Sequence, residues 1–405
     1  MPLAPDSPLR SRTFVLYWLA RVFSVSAYQV QSVAVAWQVF ELTGSAFDLG
    51  LIGLMQFLPR VLLIGVVGNA ADRHDRRALM LAAQFVQCCA MAALAVATAS
   101  GAVSRDFVFG IAIVAGAARS FELPATQALL PSLVPASGLS RAVAISASAG
   151  QAATIVAPAV GGFLYVLGAA SVYGLTAAVF AVAAAATAAI RAPRPAAAPR
   201  TASGLRHFLE GIRFVRRHRA ILGAISLDLC AVFLGGATAL LPIIAHEILG
   251  AGPSGLGLLR SAPAIGALAV AVWLARHPLQ RAIGRAMFAG VAVFGAATIA
   301  FGLSHSLALS MLILAVLGGA DMVSVVIRNA YVQLQTPDEM RGRVSAVNSV
   351  FIGASNQLGE FESGVTAAWF GTVPAVILGG AGTLLVVLAW MRMFPLLLHA
   401  ERLER

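Results

Sequence analysis

The sequence predicts an all-α membrane protein with twelve transmembrane helices in two pseudo-symmetric six-helix bundles. Three observations predict this class. The 405 residues are 59% hydrophobic and only 11% charged, with a mean hydropathy of +0.86, whereas a soluble chain carries about 25% charged residues. Twelve apolar windows are long enough to cross a bilayer, and the second half of the chain repeats features of the first.

A transmembrane helix needs about 20 apolar residues to cross about 30 Å of hydrocarbon. The windows that meet this length are 14–40, 46–69, 79–100, 107–132, 142–167, 171–191, 220–248, 254–276, 286–304, 307–333, 344–369 and 373–394. Their apolar runs are continuous, whereas the strands of a membrane barrel alternate over about ten residues. The first window is too long for the apolar part of a cleavable signal, so we expect it to be the first span.

The basic residues predict the orientation. All 28 basic residues are Arg. If the N-terminus is cytoplasmic, almost all of the Arg residues that lie between spans fall in cytoplasmic segments. The loops on the other side of the membrane contain little besides Arg105. Such an excess of positive charge is typical of cytoplasmic loops. We therefore expect both termini in the cytoplasm.

The chain divides near its middle. We predict an N-terminal bundle over 1–191, a cytoplasmic linker over 192–219 and a C-terminal bundle over 220–405. An offset of 202 residues pairs Pro135 with Pro337 and Arg141 with Arg343, at the same place in each half. A duplicated helical chain of this kind is the layout of an alternating-access secondary transporter.

The linker is Pro/Ala-rich at first, then basic and amphipathic from Gly204 on. Its apolar residues fall on one helical face. This pattern predicts a helix lying on the anionic inner leaflet; the alternative is a flexible linker.

Several function classes are excluded or disfavoured by composition. The absence of Lys removes phosphate-binding loops that need it and Schiff-base chemistry. Cys88, Cys89 and Cys230 lie in apolar runs and do not form a disulfide or metal pattern. The seven His residues lack catalytic or metal-ligand spacing, which argues against a membrane-embedded enzyme. We expect no cofactor, no metal and no nucleic-acid partner.

After the second span comes GNAADRHDRRALM, which resembles the cytoplasmic loop motif of the major facilitator superfamily. The matching residues are Gly68, Asp72, Arg73, Arg76 and Arg77. Asp75 stands where the family has Gly. A carboxylate such as Asp72 is stabilised at a helix N-terminus, and Arg343 would add a charge partner. We predict a conformational latch; the alternative is that these charges only set topology.

Two further segments resemble the same superfamily. VAPAVGG, residues 156–162, is similar to an exporter motif of which Pro158, Gly161 and Gly162 match. Residues 341–364 and 123–135 resemble the branch that contains the bacterial enterobactin exporter and related drug exporters. The resemblance implies the major facilitator fold, the bacterial inner membrane, outward transport driven by the proton gradient, and a monomer.

An ionisable residue within a span costs about 2.5–3.5 kcal/mol on insertion scales, so those present are functional candidates. A buried carboxyl group can exchange a proton near neutral pH. Glu360 and Glu362 lie about 200° apart on one helix, so we expect only one to line the transport path. Arg119 and Glu122 share a face and can pair; the alternative is a static ion pair. The proton-coupling candidates are Glu360, Glu362, Glu122, Asp321 and Asp228.

Other polar residues within the spans are candidates for the substrate cavity. They are Arg21, Gln31, Gln38, Arg119, Arg328, Asn348, Asn356 and Gln357. Tyr28, Phe57 and Tyr331 could stack on a ring-bearing ligand, or they could serve only in helix packing.

The sequence therefore predicts a proton-coupled exporter of a small hydrophobic or amphipathic molecule, with a siderophore-type compound first. The partners expected are that substrate, protons and membrane lipids. The alternative is a multidrug or antibiotic efflux antiporter, and the more distant ones are a facilitator importer and a membrane-embedded enzyme.

Overall fold

The structure, a computed structural model, describes residues 8–191, 204–277 and 281–400. These ranges contain helices, turns and bends and no β-strand. The other residues, which include most of the Pro/Ala-rich part of the linker, lie outside the described part of the chain.

The first half contains seven α-helices. They are α1 (Arg12–Thr43), α2 (Ala46–Leu62), α3 (Ile64–Arg73), α4 (Arg76–Ala99), α5 (Arg105–Leu129), α6 (Leu139–Leu164) and α7 (Ala169–Ala189). Short 3₁₀ turns lie at Pro8–Arg10, Leu130–Ser132, Ala136–Gly138 and Tyr165–Leu167. The N-terminus of α5 is capped by the Ser104 side chain, which accepts from the Phe107 backbone N–H.

The second half begins with the linker helix. Its helices are α8 (Gly204–Arg217), α9 (Arg219–Leu234), α10 (Leu241–Ile243), α11 (Gly252–Arg276), α12 (Ile283–Gly302), α13 (Leu307–Gln335), α14 (Asp338–Phe370), α15 (Thr372–Met393) and α16 (Pro395–Leu398). A 3₁₀ turn at Ala237–Leu240 precedes α10, and a π-helical turn at Ile244–Ile248 follows it.

Each of the twelve predicted windows coincides with helix. Within the described residues, nine segments are long and apolar enough to cross a membrane by length and composition. The windows around α1, α2 and α14 fall outside that group, because α2 has only 17 residues and the other two carry several of the polar candidates. The seventh window is interrupted: α9 ends at Leu234, and Gly235 and Gly236 separate it from the following turn.

The chain divides into two compact units. Unit 1 comprises Met1–Thr43 and Met55–Thr201, and unit 2 comprises Gly44–Leu54 and Ala202–Arg405. The first part of α2 thus belongs to unit 2, although its place in the chain assigns it to the first half. The predicted boundaries of two bundles and a linker stay a prediction.

Each unit has its own helix packing. In unit 1, α1 packs on α6 and α7, and α4 packs on α5 and α7. In unit 2, α13 packs between α11 and α12, and α14 packs on α9. Apolar side chains such as Leu227, Met287 and Phe288 form the core where α9 meets α12.

The linker helix α8 is amphipathic, as predicted, and part of its apolar face packs against other helices of unit 2, whereas Leu209 is 54% exposed. Val215 is buried, and Phe208 and Ile212 pack in the same cluster with residues of α9, α13 and α14. Gly211 makes the close approach possible, because a Cβ atom there would lie 2.8 Å from the Arg343 carbonyl oxygen. The basic residues Arg213 and Arg216 are exposed.

Candidate functional site

The carboxylate of Glu122, in unit 1, accepts hydrogen bonds at both of its oxygen atoms. The Glu122 side chain is 2% exposed. One oxygen accepts from Ser24 and from Gln84 (3.2 Å), and the other from Gln87 (2.9 Å) and Arg119 (3.0 Å). The pair predicted from the i,i+3 spacing is therefore present. Four donors from α1, α4 and α5 hold this carboxylate in a fixed position between three helices.

The network extends beyond the carboxylate. Gln84 accepts from the Thr187 hydroxyl of α7 at 2.7 Å. Arg119 also lies over the Tyr28 ring, with 4.6 Å between the guanidinium carbon and the ring centroid. A cation over an aromatic face is attracted by its quadrupole. The predicted aromatic candidate Tyr28 thus contacts an arginine.

Asp228 and Arg328 form an ion pair between α9 and α13 in unit 2. Their side chains are 7% and 1% exposed. No pattern in the sequence indicated that these two candidates, Asp228 for proton coupling and Arg328 for the substrate cavity, form a pair. Asp321 is half-buried and has no hydrogen-bond or ion-pair partner in the described part of the chain.

Glu360 is half-buried on α14. Its carboxyl group is placed near the Thr238 hydroxyl and close enough to Arg260 for the two charges to attract. Thr238 lies in the turn that follows the break in the seventh span, and Arg260 lies on α11. The carboxylate therefore meets one cation and one hydroxyl group at an interrupted helix.

The environment of Glu362 differs from that of Glu360. Its carboxylate accepts from the Thr366 hydroxyl, one turn later on α14, at 2.7 Å. This contact is local to the helix.

The polar candidates for the substrate cavity differ in their hydrogen bonds. Besides Arg119, four of them form hydrogen bonds with other residues of the protein. Arg21 donates to Ser146 (2.9 Å), Gln38 donates to Thr98 (3.0 Å) and accepts from Tyr173 (2.8 Å), Asn348 donates to Asn329 (3.2 Å), and Asn356 donates to the Ile352 carbonyl (3.0 Å). The side-chain oxygens of Gln31 and Gln357 are buried without a hydrogen-bond partner in the described residues.

The predicted latch residues are only partly described. Gly68 lies in α3 and is exposed. The side chains of Asp72 and Arg73 lie outside the described part of the structure. Arg343 pairs with Glu210 of α8, with 2.8 Å between nitrogen and oxygen. This glutamate is a partner that the sequence analysis did not name.

Arg76 and Arg77 bind the C-terminal ends of two other helices in unit 1. Arg76 donates to the Ala128 carbonyl of α5 at 2.8 Å, and Arg77 donates to the Thr187 carbonyl of α7 at 3.1 Å. Arginines are favourable at such ends, where carbonyl groups lack helical partners. Asp75, the departure from the family pattern, caps α4 by accepting from the Arg77 backbone N–H at 2.9 Å.

The exporter-motif helix packs closely on α1. Pro158, Gly161 and Gly162 are all buried in α6. A Cβ atom at Gly161 would lie 3.1 Å from the Cα atom of Val30. The small residue thus permits the helix contact that the motif predicts.

Glu41, near the end of α1, was not among the residues predicted from the sequence. Its carboxylate accepts from Trp37 Nε1 and from the Tyr165 hydroxyl, both at 2.7 Å. The spacing of Trp37 and Glu41, four residues apart on a helix, was a signal that could have identified half of this contact.

A family described as transmembrane secretion effectors matches residues 3–402 of the chain. The multidrug efflux pump Tap of Mycobacterium tuberculosis is 26% identical over 362 residues, which cover 86% of this chain and 85% of the pump. The macrolide efflux protein A of Streptococcus pyogenes is 28% identical over 152 residues. That match spans only 38% of the macrolide efflux protein and 38% of this chain.

Solved transporter structures share the fold. A mutant of the nucleoside transporter NupG superposes with a TM-score of 0.76 at 13% identity, covering 94% of this chain and 100% of that one. A bacterial homologue of the iron transporter ferroportin, in an inward-facing state, gives 0.70 at 16% identity, covering 95% and 98%. The family and these neighbours are transporters and not enzymes. The chain belongs to the transmembrane secretion effector family of the major facilitator transporters.

Proposed function

We propose that this chain exports hydrophobic or amphipathic drugs across the bacterial inner membrane, in exchange for protons. The names of its relatives, macrolide efflux protein A and multidrug efflux pump Tap, support the drug class and the outward direction of transport. Its membrane-spanning helices carry acidic residues. Each such residue makes membrane insertion less favourable, so those present are candidates for a role in transport. We expect a monomer with both termini in the cytoplasm.

The different environments of the acidic groups carry the proposal of proton coupling. Glu122 is held by four donors, and Asp228 is paired with a buried arginine. These contacts hold both carboxylates in static structural roles, because charge-assisted contacts are stronger than neutral ones. Glu360 has fewer polar neighbours, and Asp321 has no partner in the described residues. Glu360 is therefore our principal candidate for the proton carrier, and Asp321 is the second.

The mechanism follows from competition at Glu360. With the carboxylate ionised, Arg260 and Thr238 stabilise its charge. A proton that binds Glu360 removes the attraction to Arg260, so the helices that carry these groups can separate more easily. Release of the proton restores the pair. Alternation between the two states supplies a coupling step for transport, provided that drug binding favours one of them.

Drug export is tested in a bacterial host that lacks its own efflux pumps. We expect this chain to lower the cellular accumulation of a radiolabelled macrolide, and a protonophore to abolish the effect. A matched strain that makes the same amount of a chain carrying both Glu360→Gln and Asp321→Asn serves as control. Equal accumulation with and without the chain, at confirmed membrane expression, contradicts drug export.

Siderophore export is the second candidate, supported by the resemblance of residues 341–364 to the enterobactin exporter branch. The test is the siderophore content of spent medium from an iron-starved host that lacks its own catecholate exporter. Restored secretion that a protonophore abolishes would favour this substrate class. Unchanged secretion, with macrolide export present, leaves drugs as the substrate.

A further inference from the structure

Gly53 of α2 lies directly against Glu360 of α14. A Cβ atom at Gly53 would lie 2.6 Å from Oε2 of Glu360 and 3.2 Å from its Cβ atom. Side-chain atoms do not approach so closely without a shift of one group. The carboxylate of Glu360 therefore occupies the volume that a side chain at position 53 would need. Both residues belong to unit 2.

A second glycine allows the interrupted seventh span to approach α14 closely. A Cβ atom at Gly236 would lie 2.5 Å from the Gly359 carbonyl carbon and 3.1 Å from the Glu360 backbone nitrogen. This close backbone approach is possible only without a side chain. Thr238 follows two residues later, and its hydroxyl lies by the Glu360 carboxyl group. The break in the seventh span therefore places the Thr238 hydroxyl beside the Glu360 carboxyl group.

We propose that Gly53 is a positioning residue for Glu360, and that Gly53, Gly236, Thr238 and Arg260 form a pocket that holds the carboxylate beside its hydroxyl and cation partners. This Glu360 pocket rests on the proposed function, in which Glu360 carries the proton. The first part of α2 is one wall of the pocket, so a change at Gly53 acts on the acid without touching its polar partners.

Gly50 provides a matched comparison one turn earlier on α2. A Cβ atom there would lie 2.9 Å from the Gly364 Cα atom and 3.0 Å from the Glu360 backbone oxygen. These are backbone atoms of α14, which cannot move without moving the helix. At Gly53, by contrast, the nearest atom is the end of a flexible side chain. A methyl group at Gly50 therefore separates the helices, whereas one at Gly53 displaces the carboxylate.

The pocket is tested by two double-mutant cycles read in thermal unfolding of the purified full chain. Gly53→Ala and Gly50→Ala are each combined with Glu360→Ala. We expect Gly53→Ala to lower the Tm by at least about 2 °C in the wild-type background. In the Glu360→Ala background the added methyl group fills vacated space, so it should leave the Tm unchanged or raise it. Gly50→Ala should lower the Tm in both backgrounds.

A transport measurement separates positioning from stability. In inverted membrane vesicles, where an exporter takes its substrate up, Gly53→Ala should reduce the proton-gradient-driven uptake of a radiolabelled macrolide about tenfold, the scale of an overpacking penalty. Exchange in the absence of a gradient should be kept. Glu360→Asp, with a shorter side chain, should relieve the effect of Gly53→Ala and not that of Gly50→Ala. The control Gly65→Ala, which adds a methyl group with no atom within 4 Å, should behave as wild type.

The outcomes distinguish the two proposals. A Tm loss from Gly53→Ala that is equal in both backgrounds, or no loss in either, overturns the Glu360 pocket. Inverted vesicles that contain the wild-type chain and take up no macrolide under a proton gradient contradict the proposed function, and the Tm cycles still decide on the pocket. Wild-type accumulation by Gly53→Ala shows that the position of the carboxylate does not matter for transport and also overturns the proposal.

Discussion

Arg328 of α13 pairs with Asp228 of α9, and both side chains are almost completely buried. The two residues are a hundred positions apart in the chain, and no other acidic side chain of the described residues forms an ion pair with this arginine. The pair joins two helices of unit 2. Removal of one partner would leave the other charge in an apolar interior.

We expect Asp228→Asn to destabilise the folded chain by about 3–5 kcal/mol, because an uncompensated buried charge costs this much. The double variant Asp228→Asn with Arg328→Gln should be less destabilised, since neither charge then remains. The yield of monodisperse protein and the thermal unfolding midpoint measure both. A single variant as stable as wild type would show that the pair has no structural role.

Glu122→Gln should also reduce stability, by about 1.5–3 kcal/mol, since charge-assisted hydrogen bonds of its carboxylate are lost. The matched control is Glu362→Gln, whose carboxylate accepts from Thr366 within its own helix, and we expect a much smaller change. Thermal unfolding of the two purified variants gives the comparison. Equal midpoints would contradict the idea that Glu122 organises unit 1.

Docking of the linker helix depends on Gly211. Because a Cβ atom there would lie 2.8 Å from the Arg343 carbonyl oxygen, Gly211→Leu should release α8 from α14 and expose the linker to proteolysis. Leu209→Ala, at a side chain 54% exposed, is the control and should leave cleavage unchanged. Equal cleavage rates for wild type and Gly211→Leu would show that the helix does not need this close contact.

The Glu210–Arg343 ion pair should contribute less than the packing of the same helix. Both side chains are about one third exposed, and such pairs are worth about 0–1 kcal/mol. We expect Glu210→Gln to leave the unfolding midpoint nearly unchanged at physiological salt. A loss as large as that of Gly211→Leu would mean that the ion pair, and not the apolar face, holds α8.

The sequence was sufficient for the positions of the helices, because apolar length determines where a chain can span a bilayer. It was also sufficient for the Arg119–Glu122 pair, which depends only on spacing along one helix. Pairs between distant helices, such as Arg328 with Asp228, could not be predicted, since spacing within one helix carries no information on the neighbouring helix.

The environment of Glu360 shows the same limit at the candidate site. Its location within a span marked it as a candidate, but Thr238 reaches it only because the seventh span is broken at Gly235 and Gly236. An apolar window alone predicts a continuous helix, and the Gly235–Gly236 dipeptide inside it was the signal that could have identified the break. Glu210 was missed for a related reason, because the linker was interpreted from its apolar and basic residues alone.

The most direct test of proton-coupled drug export compares wild type with Glu360→Gln in inverted membrane vesicles. A proton gradient is imposed, and uptake of a radiolabelled macrolide is followed, with Glu362→Gln as the matched control. We predict that Glu360→Gln lowers gradient-driven accumulation at least about tenfold, corresponding to about 1.4 kcal/mol, and keeps exchange without a gradient, while the control retains both. Wild-type accumulation by Glu360→Gln would contradict the role of Glu360 as the proton carrier.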